Sequence, residues 1–129
     1  MIAWSIAAAQ ASGCFDEIIV STDDPKTSAI AESLGARVPF VRPPELSDDF
    51  TPTAPVIKHA TEWYRENLTE VTHVCCIYAT APFLAAEYLS RGLEALTASD
   101  SDYVFSVTSY AFPIQRALRL DDKNRTEMF

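Results

Sequence analysis

Glycine is scarce: Gly13, Gly35 and Gly92 are the only three in 129 residues, and they are far apart. A phosphate-cradling loop needs clustered glycines so that backbone N–H groups can approach the anion, and no such loop or Walker A pattern is present. A nucleophile elbow and any Ser–His–Asp or Cys–His spacing are missing too. Positive charge is also short. Ten Lys and Arg against eighteen Asp and Glu leave a net charge of −8, which excludes the basic stripe of a nucleic-acid interface. No apolar run approaches the roughly 20 residues of a membrane span. The apolar start, Met1 to Ala9, has no basic flank, so it does not read as a signal peptide, and the cytoplasm is the expected location. Three cysteines suit neither a disulfide framework nor a zinc site. Cys75 and Cys76 are adjacent on an expected strand, so they are expected buried and reduced, acting as small hydrophobes.

What is present is alternation. Ile2 to Ala11 is Ala-rich with Ile2, Ile6 and Ala9 on one face, a helix ended by Ser12-Gly13. Glu17 to Ser21 reads as a strand. Asp24 is an N-cap with Pro25 at the first helical position, and that helix runs to Leu34 and stops at Gly35. Arg37 to Phe40 is a short strand, followed by a Pro-rich loop. A helix from about Pro55 to Asn67 carries Val56, Ile57, Ala60, Trp63 and Tyr64 as its apolar stripe. His73 to Ile77 is a β-prone run, Ala86 to Ala98 a helix with Leu89, Leu93 and Leu96 inward, and Tyr103 to Thr108 a strand. Ala117 to Leu120 reads as a further short strand before a turn at Asp121 to Asn124. Trp4 and Trp63 are expected in the core. Helices alternating with strands imply a single α/β domain over residues 1–129, a three-layer α/β/α sandwich with a mainly parallel, Rossmann-like sheet. Such a domain normally opens on a strand and a phosphate loop. This one opens on a helix and stops without a terminating signal, so the sheet is expected to be truncated at both ends.

In open α/β sheets ligands gather beyond the carboxyl ends of the strands, and four loops fall there. They hold Ser21-Thr22-Asp23, Arg42 to Thr53, Tyr78 to Phe83, and Ser109 to Arg116. Arg42 suits a base edge or a phosphate, or equally a salt bridge to Asp48 or Asp49. Thr53 can offer its hydroxyl to a base or cap the next helix. Asp23 fits a ribose hydroxyl, a metal-bound water or an ordinary turn. Asp48-Asp49 reads as a solvated pair. Tyr78 and Thr80, released by an apolar strand, must find a partner or face a cavity. Gln115 and Arg116 offer an amide and a cation that suit a carboxylate. His59 and His73 have no partner motif and receive no role.

These blocks, taken in order, resemble the acylneuraminate cytidylyltransferases, and their pseudaminic acid branch most closely. The matching segments are Met1-Ile2-Ala3-Trp4-Ser5-Ile6, Ile19-Val20-Ser21-Thr22-Asp23, Arg42-Pro43-Pro44-Glu45-Leu46 with Asp49 and Thr53, and Tyr78-Ala79-Thr80-Ala81-Pro82-Phe83. Phe112-Pro113-Ile114-Gln115-Arg116-Ala117-Leu118 and Glu127-Met128-Phe129 complete the set. The resemblance implies transfer of CMP from CTP to the anomeric hydroxyl of a nine-carbon sugar acid, with release of pyrophosphate and with Mg²⁺. It implies Arg42 and Thr53 at the cytosine site and Tyr78 toward the sugar acid, with the Gln115-Arg116 segment approaching it. Sialic acid enzymes typically carry glutamine where Tyr78 stands, which points to a differently decorated sugar such as pseudaminic acid. The family's basic phosphate loop is expected before Met1 and its Mg²⁺-binding aspartates after Phe129. The chain is therefore expected to be an internal fragment, inactive alone, of an enzyme that forms a homodimer. Competing readings are a CMP-sialic acid synthetase, a degenerate non-catalytic binding domain, and a flavodoxin-like regulatory domain.

Overall fold

The computed structural model describes residues 1–109, 111, 118–120, 122–123 and 126–128. Four helices carry most of the order. Helix α1 (Ile2–Ser12) ends where Gly13 takes φ 64°, a left-handed conformation that costs glycine little and other residues more. Helix α2 (Pro25–Ser33) begins as the sequence reads, with Asp24 accepting hydrogen bonds from the Lys26 and Thr27 N–H groups. Helices α3 (Thr53–Asn67) and α4 (Ala86–Thr97) bury their apolar stripes only in part: Val56, Ile57, Trp63, Leu89 and Leu93 are all half-buried.

Between α1 and α2 the chain reaches its best-packed point. Ile6 and Ala36 are 3% and 4% exposed and Ala31 is fully covered, with Ile2, Ile18, Val20, Leu34 and Val38 packed around them. Burying a side chain of isoleucine's size contributes about 1.5–3 kcal/mol, so this small cluster is what joins α1 to the first crossover. That crossover is the one piece of parallel pairing among the described residues. Bridges join Ile19 to Arg37 and Thr22 to Val41, both parallel, with α2 in between. The backbone bonds are Val20 N–H to the Arg37 carbonyl (2.8 Å), Arg37 N–H to Ile18 (2.8 Å) and Arg42 N–H to Thr22 (3.0 Å). They form a strand–helix–strand unit that releases Thr22-Asp23 and Arg42 at the same end.

Gly35 closes α2 at φ 84°, and a Cβ there would lie 2.9 Å from Gln10 Nε2 of α1. Gln10 in turn donates to the Leu34 carbonyl at 2.8 Å. Gly35→Ala is therefore expected to lower stability by about 1–3 kcal/mol through left-handed strain, read as a fall in the thermal midpoint. No change in the midpoint would show that α2's end relaxes freely.

The expected sheet is where the structure departs from the sequence reading. Residues 73–77 and 103–108 run without ladder partners among the described residues. Val74, Tyr103, Phe105 and Val107 are exposed. The reason is non-local: β propensity reflects packing against neighbouring strands, and a central-type strand without neighbours forms no ladder and leaves its side chains in water. The same reason corrects the cysteines. All three are free, but Cys75 and Cys76 are exposed rather than buried. Partial desolvation of their sulfur atoms still pushes both thiols above their ordinary value. Trp4, expected in the core, is 65% exposed, because α1 buries Ser5, Ile6, Ala8 and Ala9 instead. Trp63 does pack, its ring centroid 5.3 Å from that of Phe40, which also meets His59 edge-on at 4.8 Å.

Ladder pairing among the described residues is confined to an antiparallel pair. Strand β1 (Leu118–Leu120) and strand β2 (Thr126–Met128) pair Leu118 with Met128 and Leu120 with Thr126, around the turn at Asp122 and Lys123. The first strand and the turn were legible in the sequence; the return strand was not.

Candidate active site

The site is built from two hydroxyl- and charge-bearing pairs. The first follows from the crossover, because two parallel segments ending together bring their exit residues side by side. Arg42 Nη2 lies 3.4 Å from Asp23 Oδ1, and Arg42 Nε donates to Ser47 Oγ at 3.0 Å. The ion pair expected with Asp48 or Asp49 is replaced by one with Asp23, so Asp23 is committed to orienting the arginine. Ser47 passes the contact on, donating to the Pro43 carbonyl at 3.0 Å. The arginine side chain is 24% exposed, leaving one edge open. At full solvent exposure such a pair would contribute little; here it holds the direction of a guanidinium that has two fixed neighbours.

The loop beyond Arg42 is shaped by Asp48. A 3-10 turn at Pro44–Leu46 is followed by Asp48 Oδ1 accepting from Phe50 N–H (3.0 Å), Thr51 N–H (2.6 Å) and Thr51 Oγ1 (2.7 Å). Asp48 is thus a turn-forming residue, and it is not merely solvated. The Thr51 hydroxyl bond, followed by the Phe50 and Thr51 backbone bonds, holds the Asp48 carboxyl below 3.8. The Thr27 side chain, then its backbone, does the same for Asp24.

A depressed folded-state value stabilises above the unfolded value and is lost as pH falls through the folded one. The α2 cap and this loop should therefore loosen below about pH 3.8. The thermal-midpoint gap between wild type and Asp24→Asn is expected to be present at pH 6 and to shrink as pH falls below the ordinary carboxylate value. A pH-independent gap would contradict the assignment.

The second pair joins Thr53 to Tyr78. Thr53 is the first residue of α3 behind Pro52 as N-cap, and no side chain caps that helix, so its expected capping role is not the one it plays. Its hydroxyl instead lies 2.9 Å from the Tyr78 hydroxyl. The physical reason is the preceding Pro52, which fixes the entry to α3 and shifts Thr53 inside the helix, with its side chain turned toward the loop after residue 77. Tyr78 is held a second time, since Ser5 Oγ of α1 donates to its carbonyl at 2.9 Å. Even so, its side chain is 64% exposed. Thr80 is exposed in the turn that follows. Gln115 and Arg116 lie outside the described residues. No hydrogen bond or ion pair joins one pair to the other among the described residues.

Ser5 and Ser47 escaped the sequence reading. Ser5 had a signal: it is a polar residue on the buried face of an otherwise apolar helix, and its hydroxyl needed a partner.

One cavity flanks the first pair, and a second lies away from both. One of about 200 Å³ opens beside the crossover, lined by Asp23, Asp24, Ser28, Glu32 and Val41. Its acidic wall suits a cation or sugar hydroxyls and repels a triphosphate. The other, about 500 Å³, is lined by Thr72, His73, Leu96, Asp100 and Asp102. It sits where segment 73–77 begins, roughly 16 Å from where it ends in extended chain, and so on the wrong side for a strand-end ligand. Among the described residues no group of three His, Cys, Asp or Glu side chains could hold a metal ion.

The comparisons with known proteins decide the family. The cytidylyltransferase family profile matches residues 1–125. The chain belongs to the cytidylyltransferase family. It is 39% identical over all of its 129 residues to a pseudaminic acid cytidylyltransferase of Campylobacter jejuni, of which it covers 56%. It is 36% identical over 83% of its length to an N-acylneuraminate cytidylyltransferase A of Danio rerio, covering 24% of that protein. An N-acylneuraminate cytidylyltransferase of Escherichia coli is 32% identical over the whole chain, which covers 30% of that relative. The chain thus spans 56% of the length of the pseudaminic acid enzyme and 30% of the Escherichia coli one. Within the family, the segment in hand is the one carrying the crossover, the Arg42 loop and the Tyr78 loop. No helix among the described residues is long and apolar enough to cross a membrane.

Proposed function

We propose that a protein carrying these residues within its relatives' full length (the full-length protein below) transfers CMP from CTP to a nonulosonic sugar acid. Pseudaminic acid is the proposed acceptor and pyrophosphate the leaving product. The observation that carries this reading is 39% identity along the entire chain to a pseudaminic acid cytidylyltransferase, against 32% along the entire chain to an N-acylneuraminate enzyme. In this reading the anomeric hydroxyl attacks the α-phosphate in line, and the protein's work is to align the two substrates and neutralise charge.

The Asp23–Arg42 pair suits the nucleotide, and the Thr53–Tyr78 pair suits the place where nucleotide and sugar acid would meet. Arg42, oriented by Asp23 and Ser47, offers its open edge to the cytosine or to a phosphate, with Thr53 nearby in sequence on the nucleotide side. Tyr78 and Thr80 are assigned to the sugar acid in this reading, and Gln115 and Arg116 to its carboxylate. Mg²⁺ would neutralise phosphate charge, held by ligands beyond the described residues, and the phosphate grip is assigned there as well. The strand–helix–strand unit with its parallel bridges supports a Rossmann-like, three-layer sandwich whose remaining strands order only with their neighbours. A cytoplasmic homodimer completes the proposal.

Product analysis tests it. The full-length protein, given CTP, Mg²⁺ and either pseudaminic or sialic acid, should yield a CMP-sugar detectable by phosphorus NMR, preferentially with pseudaminic acid. Equal or better use of sialic acid would move the assignment to a CMP-sialic acid synthetase. Folded protein that yields no CMP-sugar would favour a non-catalytic binding domain.

A further inference from the structure

We propose that Ser5 is a positioning residue for the sugar-acid contact at Tyr78, and this rests on the function proposed above. A serine inside a helix usually bonds its hydroxyl back to its own preceding turn. Ser5, 6% exposed near the start of α1, instead donates to the carbonyl of a residue 73 positions away, at 2.9 Å. The side chain of that same residue is tied at its far end to α3, through the 2.9 Å contact between the Tyr78 and Thr53 hydroxyls. Tyr78 is thus pinned at backbone and phenol by two different helices while 64% of it stays open to solvent.

An exposed aromatic residue fixed at both ends has little rotational freedom left to lose when a ligand arrives, which is the condition for a preorganised contact. The segment that presents it, residues 73–77, has no ladder partners among the described residues. Among those residues the Ser5 bond is a long-range tie on the Tyr78 backbone, additional to any strand pairing in the full-length protein. Because Ser5 follows Trp4 and precedes Ile6 of the buried cluster, the tie refers Tyr78 to the best-packed part of the chain. Thr53 and Tyr78 each keep further hydrogen-bonding capacity beyond their mutual bond, so the pair can still engage substrate.

The test uses the full-length protein with Ser5→Ala and Ser5→Thr. Alanine is the stronger helix former, so α1 is not weakened by losing the hydroxyl. Ser5→Ala is expected to raise KM for the sugar acid about five- to tenfold, the worth of one hydrogen bond, with KM for CTP within about twofold of wild type. Ser5→Thr restores the hydroxyl and should return the sugar KM toward wild type. Amide hydrogen exchange over residues 79–84 should quicken in Ser5→Ala and recover in Ser5→Thr, with α2 unchanged. Equal rises in both KM values, or no rise in either, would overturn the proposal. Should the wild-type protein turn over no nonulosonic acid, the proposed function falls. Exchange then decides alone: protection lost in alanine and regained in threonine supports positioning, and unchanged protection overturns it.

Discussion

Tyr78→Gln in the full-length protein should cut kcat/KM for pseudaminic acid by about ten- to a hundredfold, as expected when a polar contact is lost and its partner is left unpaired. The substitution removes the phenol that meets Thr53 at 2.9 Å and the ring that stands open to solvent beside it. It also installs the residue type that sialic acid enzymes typically carry at this position. Specificity is a ratio, so the measurement is kcat/KM for pseudaminic acid divided by that for sialic acid, in wild type and variant. The ratio should fall while KM for CTP stays near its wild-type value. An unchanged ratio would remove Tyr78 from the sugar site.

Arg42→Lys is the second large effect. The guanidinium addresses two partners at once, Ser47 through Nε and Asp23 through Nη2, and a lysine ammonium cannot reproduce that planar fork. KM for CTP should rise at least about tenfold, since both the orientation and the charge-assisted contact of the open edge are lost. Ser47→Ala separates orientation from contact. It keeps the charge and frees its direction, so it should raise KM for CTP less than Arg42→Lys does. If Arg42→Lys leaves KM for CTP unchanged, the loop's arginine serves the fold alone.

The local signals of α1, α2 and α4 were legible in the sequence, whereas the cap read at Thr53 was not borne out, α3 beginning at Thr53 itself. Asp24-Pro25 fixed where α2 begins, Gly13 and Gly35 where α1 and α2 end, and the leucines of α4 its inner face, because caps and periodicity act within a few residues. What was lost depends on partners distant in the chain. Residues 73–77 and 103–108 have the composition of strands, but a ladder needs a neighbour, so Cys75 and Cys76 are exposed where burial was expected.

Thr53 shows the same thing on a smaller scale. The sequence singles the residue out but does not show its partner, which is 25 positions away. Arg42 and Asp23 were likewise each recognised, but their pairing follows only from the parallel bridge between Thr22 and Val41. Ser5 went unread because the partner that satisfies its hydroxyl is a backbone carbonyl, which no side-chain motif records.

The most direct test of the central claim is pyrophosphate release from CTP and Mg²⁺, with and without pseudaminic acid, by the full-length protein beside this 129-residue chain. Acceptor-dependent release by the full-length protein and none by the chain is the predicted result. It would place catalysis in the family's chemistry and the phosphate grip outside these residues. Folded full-length protein that releases no pyrophosphate with either nonulosonic acid would contradict the account.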